Sequence, residues 1–515
     1  GVLNVSALEV PPNDAHNTRL VRNVHPPDWK NPDPSGRYHL VIVGAGTAGL
    51  ITSLVAAGLG AKVALIERHL MGGDCLNVGC VPSKALIRSA RQVHEARQNA
   101  PLGLPLADDA VPDFGGAMER MRRIRAHISD EDAAARYRDE FGVEVFLGEA
   151  TFTGPNAVDV DGTTLEFAKA VVCTGARAIA PPIPGLAEAG FLDNENVFEL
   201  TERPRRLAVI GAGPIGCELA QSFRRLGSEV TIYEQMDQIL TREDPDAARI
   251  VQDQLEADGV RMVFGASITR VDAVDGEKVV SLGGGESGET RERFDEVLIG
   301  AGRAPNVEGM GLETLGVEFD PRTGIVVGDN LQTTNPAVYA AGDCCMQWKF
   351  THAADAAAKI VVQNALFSFG PFGKKRLSDL VMPWCTYTDP EIAHVGVYPR
   401  EAAEQGLEID TYEVPMSASN RAVTDGEETG FVKVHVKQGT DTIVGATVVA
   451  SHAGDLITQF TLAITQKIGL GAFGNVIYPY PTQGEAIKRT AGLFTRTRLT
   501  PTVKRLFDLV LKFRR

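Results

Sequence analysis

Cys75 and Cys80 stand five positions apart in the run Gly72-Gly73-Asp74-Cys75-Leu76-Asn77-Val78-Gly79-Cys80-Val81-Pro82-Ser83-Lys84, a few residues beyond a strand-like segment that ends at Glu67. Two thiols so placed can alternate between a dithiol and a disulfide, which is two-electron chemistry. On a straight helix this spacing puts the two residues roughly 7–8 Å apart, just beyond the separation of about 7 Å that a disulfide spans. The turn between them must therefore be distorted, and Gly79 permits that. Pro82 suits the first turn of a helix starting near Cys80, and the amide end of such a helix lowers the pKa of Cys80. The alternative is a structural disulfide, but such bonds are rare in a cytoplasmic chain, so redox catalysis is the favoured reading.

Thiols of this kind need an electron source, and the flanking segments supply a place for one. Tyr38-His39-Leu40-Val41-Ile42-Val43 reads as a buried parallel strand. Gly44, Gly46 and Gly49 come next, suited to a tight turn, the approach of a pyrophosphate and close helix packing. A second strand, Lys62 to Ile66, delivers Glu67, whose carboxylate can accept a ribose hydroxyl. The pattern then recurs. Arg206 to Ile210 runs into Gly211, Gly213 and Gly216, and a strand from Glu229 to Tyr233 ends at Glu234. One site is expected to hold a tightly bound flavin and the other a nicotinamide dinucleotide. Glu234 repels a 2′-phosphate and Gln235 offers no cation, so NADH is favoured over NADPH; Arg242 keeps NADPH open.

The composition is that of a large α/β enzyme. A chain of 515 residues is too long for one core and suggests about three domains. Hydrophobic content of 44% with 53 glycines fits many tight strand-to-helix turns. A net charge of −15 argues against nucleic acid as a partner. Cys75, Cys80, Cys173, Cys217, Cys344, Cys345 and Cys385 form no secreted disulfide framework, and no run of about 18 apolar residues suggests a membrane span, so a cytoplasmic location is expected. Residues 1–37 are polar and proline-rich, an arm that wraps a surface or stays mobile and carries no chemistry.

Further motifs bring a resemblance. Beside the cysteine run stand Cys173-Thr174-Gly175-Ala176, Gly302-Arg303-Ala304-Pro305-Asn306, Ala340-Ala341-Gly342-Asp343 and Thr388-Asp389-Pro390-Glu391-Ile392-Ala393. Over residues 38–495 the chain resembles the group I pyridine nucleotide-disulfide oxidoreductases, the family of dihydrolipoamide dehydrogenase, glutathione reductase and mercuric reductase. The resemblance implies an α/β fold with two Rossmann-like dinucleotide-binding domains, for FAD and NAD(P), plus a C-terminal α+β dimerisation domain, in a homodimer. The expected divisions are an extension (1–37), an FAD-binding and central domain (38–185 and 310–375), an NAD(P)-binding domain (186–309), a dimerisation domain (376–495) and a tail (496–515). It implies FAD contacts from Gly44, Gly46, Gly49, Glu67, Gly73, Thr174, Gly175, Asp343 at the ribityl chain, and Thr351, His352 and Ala353 at the start of a helix facing the flavin. NAD(P) contacts fall to Gly211, Gly213, Gly216, Glu234 and Gly302. Lys84 would pair with Glu218 beside the flavin N5, or the two would be solvated charges. In the implied reaction a hydride passes from NADH to FAD, which reduces the Cys75–Cys80 disulfide. Cys80 would face the flavin and Cys75 would meet the acceptor.

The acceptor depends on the partner chain's C-terminal domain. Disulfide-using members carry a His-Pro pair there, with a Glu after it, to manage the thiol's proton. This chain has Tyr478-Pro479-Tyr480-Pro481-Thr482-Gln483-Gly484-Glu485, and its last histidine is His452. A phenol, ionising near pH 10 in water, is a poor proton acceptor at neutral pH, which disfavours dihydrolipoamide dehydrogenase. The Pro-Tyr-x-Thr arrangement is similar to mercuric reductase, where a partner-chain tyrosine lines the metal site, and soft thiolates suit Hg(II) and Cu(I). Tyr480 and Glu485 are thus candidate catalytic residues, and the acceptor is a small molecule or a metal ion. The departures are the lack of cysteines after Cys385 and of an N-terminal metal-binding cysteine motif. Cys344 and Cys345 are vicinal but come after Gly342-Asp343, where burial is expected; no resident metal site is assigned.

Residues 496–515 hold Arg496, Arg498, Lys504, Arg505, Lys512, Arg514 and Arg515 against Asp508. Val503, Leu506, Phe507, Val510 and Phe513 recur at helical spacing. Such a helix can lie on an anionic membrane surface as a peripheral contact, recruiting the flavoprotein to a membrane partner, or can pack on the dimer with its cations solvated.

Overall fold

Six residues in a row, Tyr38–Val43, of which only His39 is exposed, make β1 the centre of the first sheet, and each fully buried aliphatic side chain there contributes roughly 1.5–3 kcal/mol. The computed structural model describes residues 8–98, 100–103, 111–283, 288–300, 302–370 and 372–515. These belong to two compact units, residues 1–235 with 266–380, and 236–265 with 381–515.

In the first unit β1 pairs in parallel with β2 (Val63–Glu67) on one side and with Thr163–Val172 on the other. β2 in turn pairs with Glu144–Leu147, and Val338–Ala340 pairs with Thr163–Val172, all in parallel. Two antiparallel strands, Ala157–Val160 and Ala150–Gly154, extend the sheet to seven. Helix α2 (Thr47–Gly58) links β1 to β2. A core of Val41, Val43, Ile66, Phe146, Phe167 and their neighbours lies against the sheet, with Tyr38 and Phe146 edge to face at 6.4 Å between centroids. A second parallel set repeats the plan: Arg206–Ile210 pairs with Glu229–Tyr233 and Glu296–Ile299, and the Pro214–Arg225 helix connects the first two.

The proline-rich arm is packed over its described length. Residues Ala15–Val24 form a helix, α1, capped by Asp14 accepting from the Asn17 N–H and burying Leu20, Val21 and Val24. It wraps the surface of this unit, the first of the two states expected for it.

The second unit is an α+β layer. Five antiparallel strands run in the order Pro383–Thr386, Glu391–Gly396, Ile443–Ala450, Phe431–Lys437 and Ile409–Pro415, with the Ala453–Thr465 and Glu485–Thr497 helices packed on them. Residues 236–265 are grouped with this unit, to which polar contacts tie them. The Glu243 carboxylate accepts from Trp384 Nε1 at 2.9 Å and from the Tyr398 hydroxyl at 2.5 Å, and Lys433 Nζ reaches Asp244 at 3.0 Å and Asp246 at 2.7 Å. Buried charges persist only when paired in this way.

Candidate redox-active site

The glycine loops are built twice from the same parts. Gly44 and Gly211 take φ of +100° and +98°, the left-handed region that other residues avoid. A Cβ on Gly49 would lie 1.8 Å from the Gly44 carbonyl oxygen, and one on Gly216 2.0 Å from that of Gly211. The protein's own backbone thus demands those four glycines. Gly46 and Gly213 are different, with φ of −74° and −75° and nothing nearer than 3.7 Å to an added Cβ. Neither conformation nor packing requires glycine there; bare backbone at a helix N-terminus is what an approaching pyrophosphate needs. Glu67 Oε2 accepts from the Ala45 N–H at 2.7 Å and Glu234 Oε2 from the Ala212 N–H at 2.7 Å, so each acid fixes its loop. Burial raises the pKa of Glu67 against its bonds from Ala45 and His69.

The first loop leads to the cysteines. Gly72, at φ +90°, precedes a five-residue helix, α3 (Gly73–Asn77), which carries Cys75. A Cβ on Gly73 would come 2.7 Å from Gly46 Cα, so the thiol-bearing turn abuts the glycine loop. Cys80 opens a separate helix, α4 (Cys80–Arg97), and a Cβ on the intervening Gly79 would lie 2.7 Å from the Asp74 carbonyl oxygen. The expected distortion is thus a break between two helices, with Gly79 needed for space; its φ of −134° lies outside the left-handed region.

The two thiols are free, Cys75 half-buried and Cys80 exposed. The pKa of Cys80 is lowered to about 6, first by the hydrogen bond from the Cys75 thiol, then by the Thr351 hydroxyl and the Lys84 ammonium, against burial and Glu218. The same bond, with burial, pushes Cys75 up. The Cys75, Thr351 and Lys84 side chains thus each favour the Cys80 thiolate. Cys80 Sγ lies 3.4 Å from Thr351 Oγ1, and Lys84 Nζ donates to Glu218 Oε2 at 2.8 Å. Lys84 and Glu218 are therefore paired, Glu218 on the Pro214–Arg225 helix and almost fully buried.

Thr351, His352 and Ala353 form the first turn of the Thr351–Leu366 helix. Thr174 and Gly175 are zipped to the segment after Gly302: Thr174 Oγ1 donates to the Asn306 carbonyl at 2.5 Å, and Asn306 N–H to that of Gly175 at 2.9 Å. Asp343, its pKa raised by burial, lies 3.8 Å from Arg303 Nε, and Arg303 also bonds Asp74, the neighbour of Cys75. In the sequence Arg303 stands within a motif but has no assigned part; its signal is a cation whose neighbours in the chain are chemically important. Thr351 as a thiol partner has no sequence signal at all, because proximity across 271 positions is a tertiary fact.

In the second unit Tyr480 is 71% exposed, its hydroxyl accepting from Asn420 Nδ2 at 3.0 Å. Glu485 begins the Glu485–Thr497 helix with Oε2 buried and unpartnered among the described residues. No cluster of three or more metal-ligating side chains occurs among the described residues.

A sheet of this topology with two such loops and a thiol pair beside the first defines a flavoprotein disulfide reductase. Residues 38–358 match the pyridine nucleotide-disulphide oxidoreductase family and residues 382–491 its dimerisation domain; the chain belongs to this family. It is 35% identical to mercuric reductase of Bacillus cereus over 88% of this chain and 70% of that protein. It is 33% identical to dihydrolipoyl dehydrogenase of Thermus scotoductus, over 88% and 96% respectively. Among solved structures, LpdA from Mycobacterium tuberculosis superposes with a TM-score of 0.80 at 26% identity, covering 88% of this chain and 99% of that one. The Cu(II) complex of the HOCl-induced flavoprotein disulfide reductase RclA from Escherichia coli gives 0.79 at 26%, covering 89% and 100%.

The chain is accordingly an FAD- and NAD(P)H-dependent oxidoreductase, and the bare glycines at Gly46 and Gly213 fit those dinucleotides. When bound, FAD would take up the hydride of NAD(P)H and pass its two electrons on. The dimerisation domain supports a homodimer. Among the described residues no helix is long and apolar enough to cross a membrane.

Proposed function

We propose that this oxidoreductase reduces a soft metal ion, with Hg(II) as the reference substrate, using NADH in preference to NADPH. The observation that carries the reading is the placement of two free thiols on adjoining turns, Cys75 on α3 and Cys80 at the start of α4, with Thr351 Oγ1 3.4 Å from Cys80 Sγ. A thiolate beside a second thiol is a soft donor set. Cys75 and Cys80 would bind the cation, Lys84 and Thr351 would stabilise the Cys80 thiolate, and Lys84 would keep its charge through Glu218. Gly44, Gly46, Gly49, Glu67, Gly73, Thr174, Gly175, Asp343 and the Thr351 to Ala353 turn would hold FAD. Gly211, Gly213, Gly216, Glu234 and Gly302 would hold NAD(P)H. Tyr480 of the partner subunit would line the metal site from the far side, with Glu485 beneath it. The mercuric reductases among the relatives support this choice over a disulfide acceptor.

The test compares NADH and NADPH oxidation against Hg(II) with excess thiol, lipoamide and a quinone. Tyr480→Phe is expected to lower Hg(II)-dependent turnover by roughly tenfold or more, the scale of losing a group that orients a metal ligand. Turnover with lipoamide alone, unchanged in Tyr480→Phe, would move the chain to the dihydrolipoyl dehydrogenase branch.

The same reading takes residues 496–515 as a peripheral anchor to an anionic lipid surface. The Pro501–Phe513 helix buries no residue, and Leu506, Phe507, Val510 and Phe513 are exposed. The cations of this helix favour anionic lipid, each worth about 1 kcal/mol near such a surface, against the repulsion of a chain whose net charge is −15. Deleting residues 496–515 is expected to abolish sedimentation with phosphatidylserine vesicles and leave NADH oxidation intact. Equal sedimentation of both forms, or dissociation of the dimer on deletion, would overturn the lipid assignment.

A further inference from the structure

The residues ahead of Tyr38 lie outside the stretch that matches the family, yet they reach the turn that carries Cys75. Arg125, on helix α5 (Phe114–Ile128), is the link. One of its amino groups donates to the Asn17 side-chain carbonyl on α1 at 2.8 Å, and the other to the Asn77 backbone carbonyl at 2.6 Å. Asn77 is the last residue of α3, and its Nδ2 turns back onto the carbonyls of Met71 at 3.1 Å and Gly73 at 2.9 Å. At the other end of the turn, the Val24 carbonyl accepts from the Met71 N–H at 3.1 Å. Arg122 holds Asp14 at 2.6 Å in the same seam.

A five-residue helix is not stable by itself and takes its place from tertiary contacts. Its last carbonyls have no partner within the helix, and Arg125 satisfies one of them. Packing of Leu20, Val21 and Val24 would be enough to seat α1 on the surface. The buried guanidinium adds direction, because its N–H groups form a rigid fork. That direction comes at a cost: Arg125 Nε, Arg122 Nη1 and Asn77 Oδ1 are buried without partners among the described residues.

We propose, resting on the reading of Cys75 and Cys80 as the redox pair, that the N-terminal extension is a positioning element of that pair. It holds the Cys75-bearing turn against Cys80 through Asn17, Arg125 and Asn77. Losing the hold lets Cys75 drift from Cys80, which disfavours the disulfide and removes the thiol–thiolate hydrogen bond.

The test uses the full chain with Asn17→Ala, with Arg125→Lys, which keeps the charge but cannot span both oxygens, and with Asn31→Ala as the control. Asn31 ties the same extension to Leu147 at the sheet edge instead, at 2.8 and 3.0 Å. Two readouts need no turnover: the dithiol–disulfide equilibrium of the pair in a dithiothreitol buffer, read by mass, and the pH profile of Cys80 alkylation by iodoacetamide. Asn17→Ala and Arg125→Lys are expected to shift the equilibrium toward the dithiol by about two- to tenfold, the range of one net hydrogen bond. Both should also move the Cys80 midpoint above about 6. Asn31→Ala should leave both readouts at native values. Native behaviour in Asn17→Ala and Arg125→Lys, or the same shift in Asn31→Ala, overturns the proposal. Failure of the underlying reading looks different: a Cys75→Ser chain would take up as many electrons per flavin from NADH as the native one.

Discussion

The two glycine loops of the first unit are near copies in backbone, packing and acid, and they diverge only in the segments beyond the acid. After Glu67 the chain passes through Gly72 into α3 and the cysteines; after Glu234 it passes through Gln235 into residues of the other compact unit. The cradle is therefore a local device that the chain uses twice. The chemistry is added by the segment attached to one copy, where Gly73 packs on Gly46 and Thr351 on Cys80.

Exchanging the third glycine in each loop should give the largest effects and separate the copies. Gly49→Ala and Gly216→Ala each force a Cβ into a backbone oxygen, at 1.8 and 2.0 Å, costing more than about 3 kcal/mol locally. Gly49→Ala should purify without flavin absorbance. Gly216→Ala should keep its flavin and lose NADH oxidation. Loss of flavin from both would erase the distinction between the loops.

A middle-sized effect belongs to the cysteines that only the first copy carries. At pH 7 a thiol of pKa about 6 is roughly ten to one thiolate. The Lys84 ammonium favours that charge, so Lys84→Met should move the alkylation midpoint of Cys80 upward and slow its reaction at pH 6.5. A midpoint unmoved in Lys84→Met would mean that Cys75 and Thr351 suffice. The smallest effect concerns the acids. Glu234→Ala should narrow the NADH over NADPH preference in KM by about tenfold, one unit charge against a phosphate, while Glu67→Ala should leave coenzyme choice alone and weaken flavin retention. An unaltered preference in Glu234→Ala would make that acid a loop brace only.

Much of this was legible in the chain. β1, β2 and both loops announce themselves through apolar runs and glycine spacing, because their requirements are local. So do the break at Gly79 and the start of α4 at Cys80, although the reason for Gly79 turned out to be the Asp74 carbonyl at 2.7 Å from its missing side chain. The lowered pKa of Cys80 was anticipated; its side-chain causes, Cys75, Thr351 and Lys84, were not. The extension was read as an inert arm, since its prolines and polar residues carry no motif. Its place beside the redox turn depends on Arg125, more than a hundred positions from Asn17.

The two glycine loops, the nearness of the two thiols and the family were readable from the chain alone, because glycine conformations, strand periodicity and a five-residue cysteine spacing are encoded within short stretches. Only the tertiary structure brings Thr351 against Cys80, Lys84 to Glu218 and Asn17 to the turn of Cys75. Hydrogen bonds and ion pairs act within a few ångströms, and only the packed fold brings residues so distant in the chain to that range.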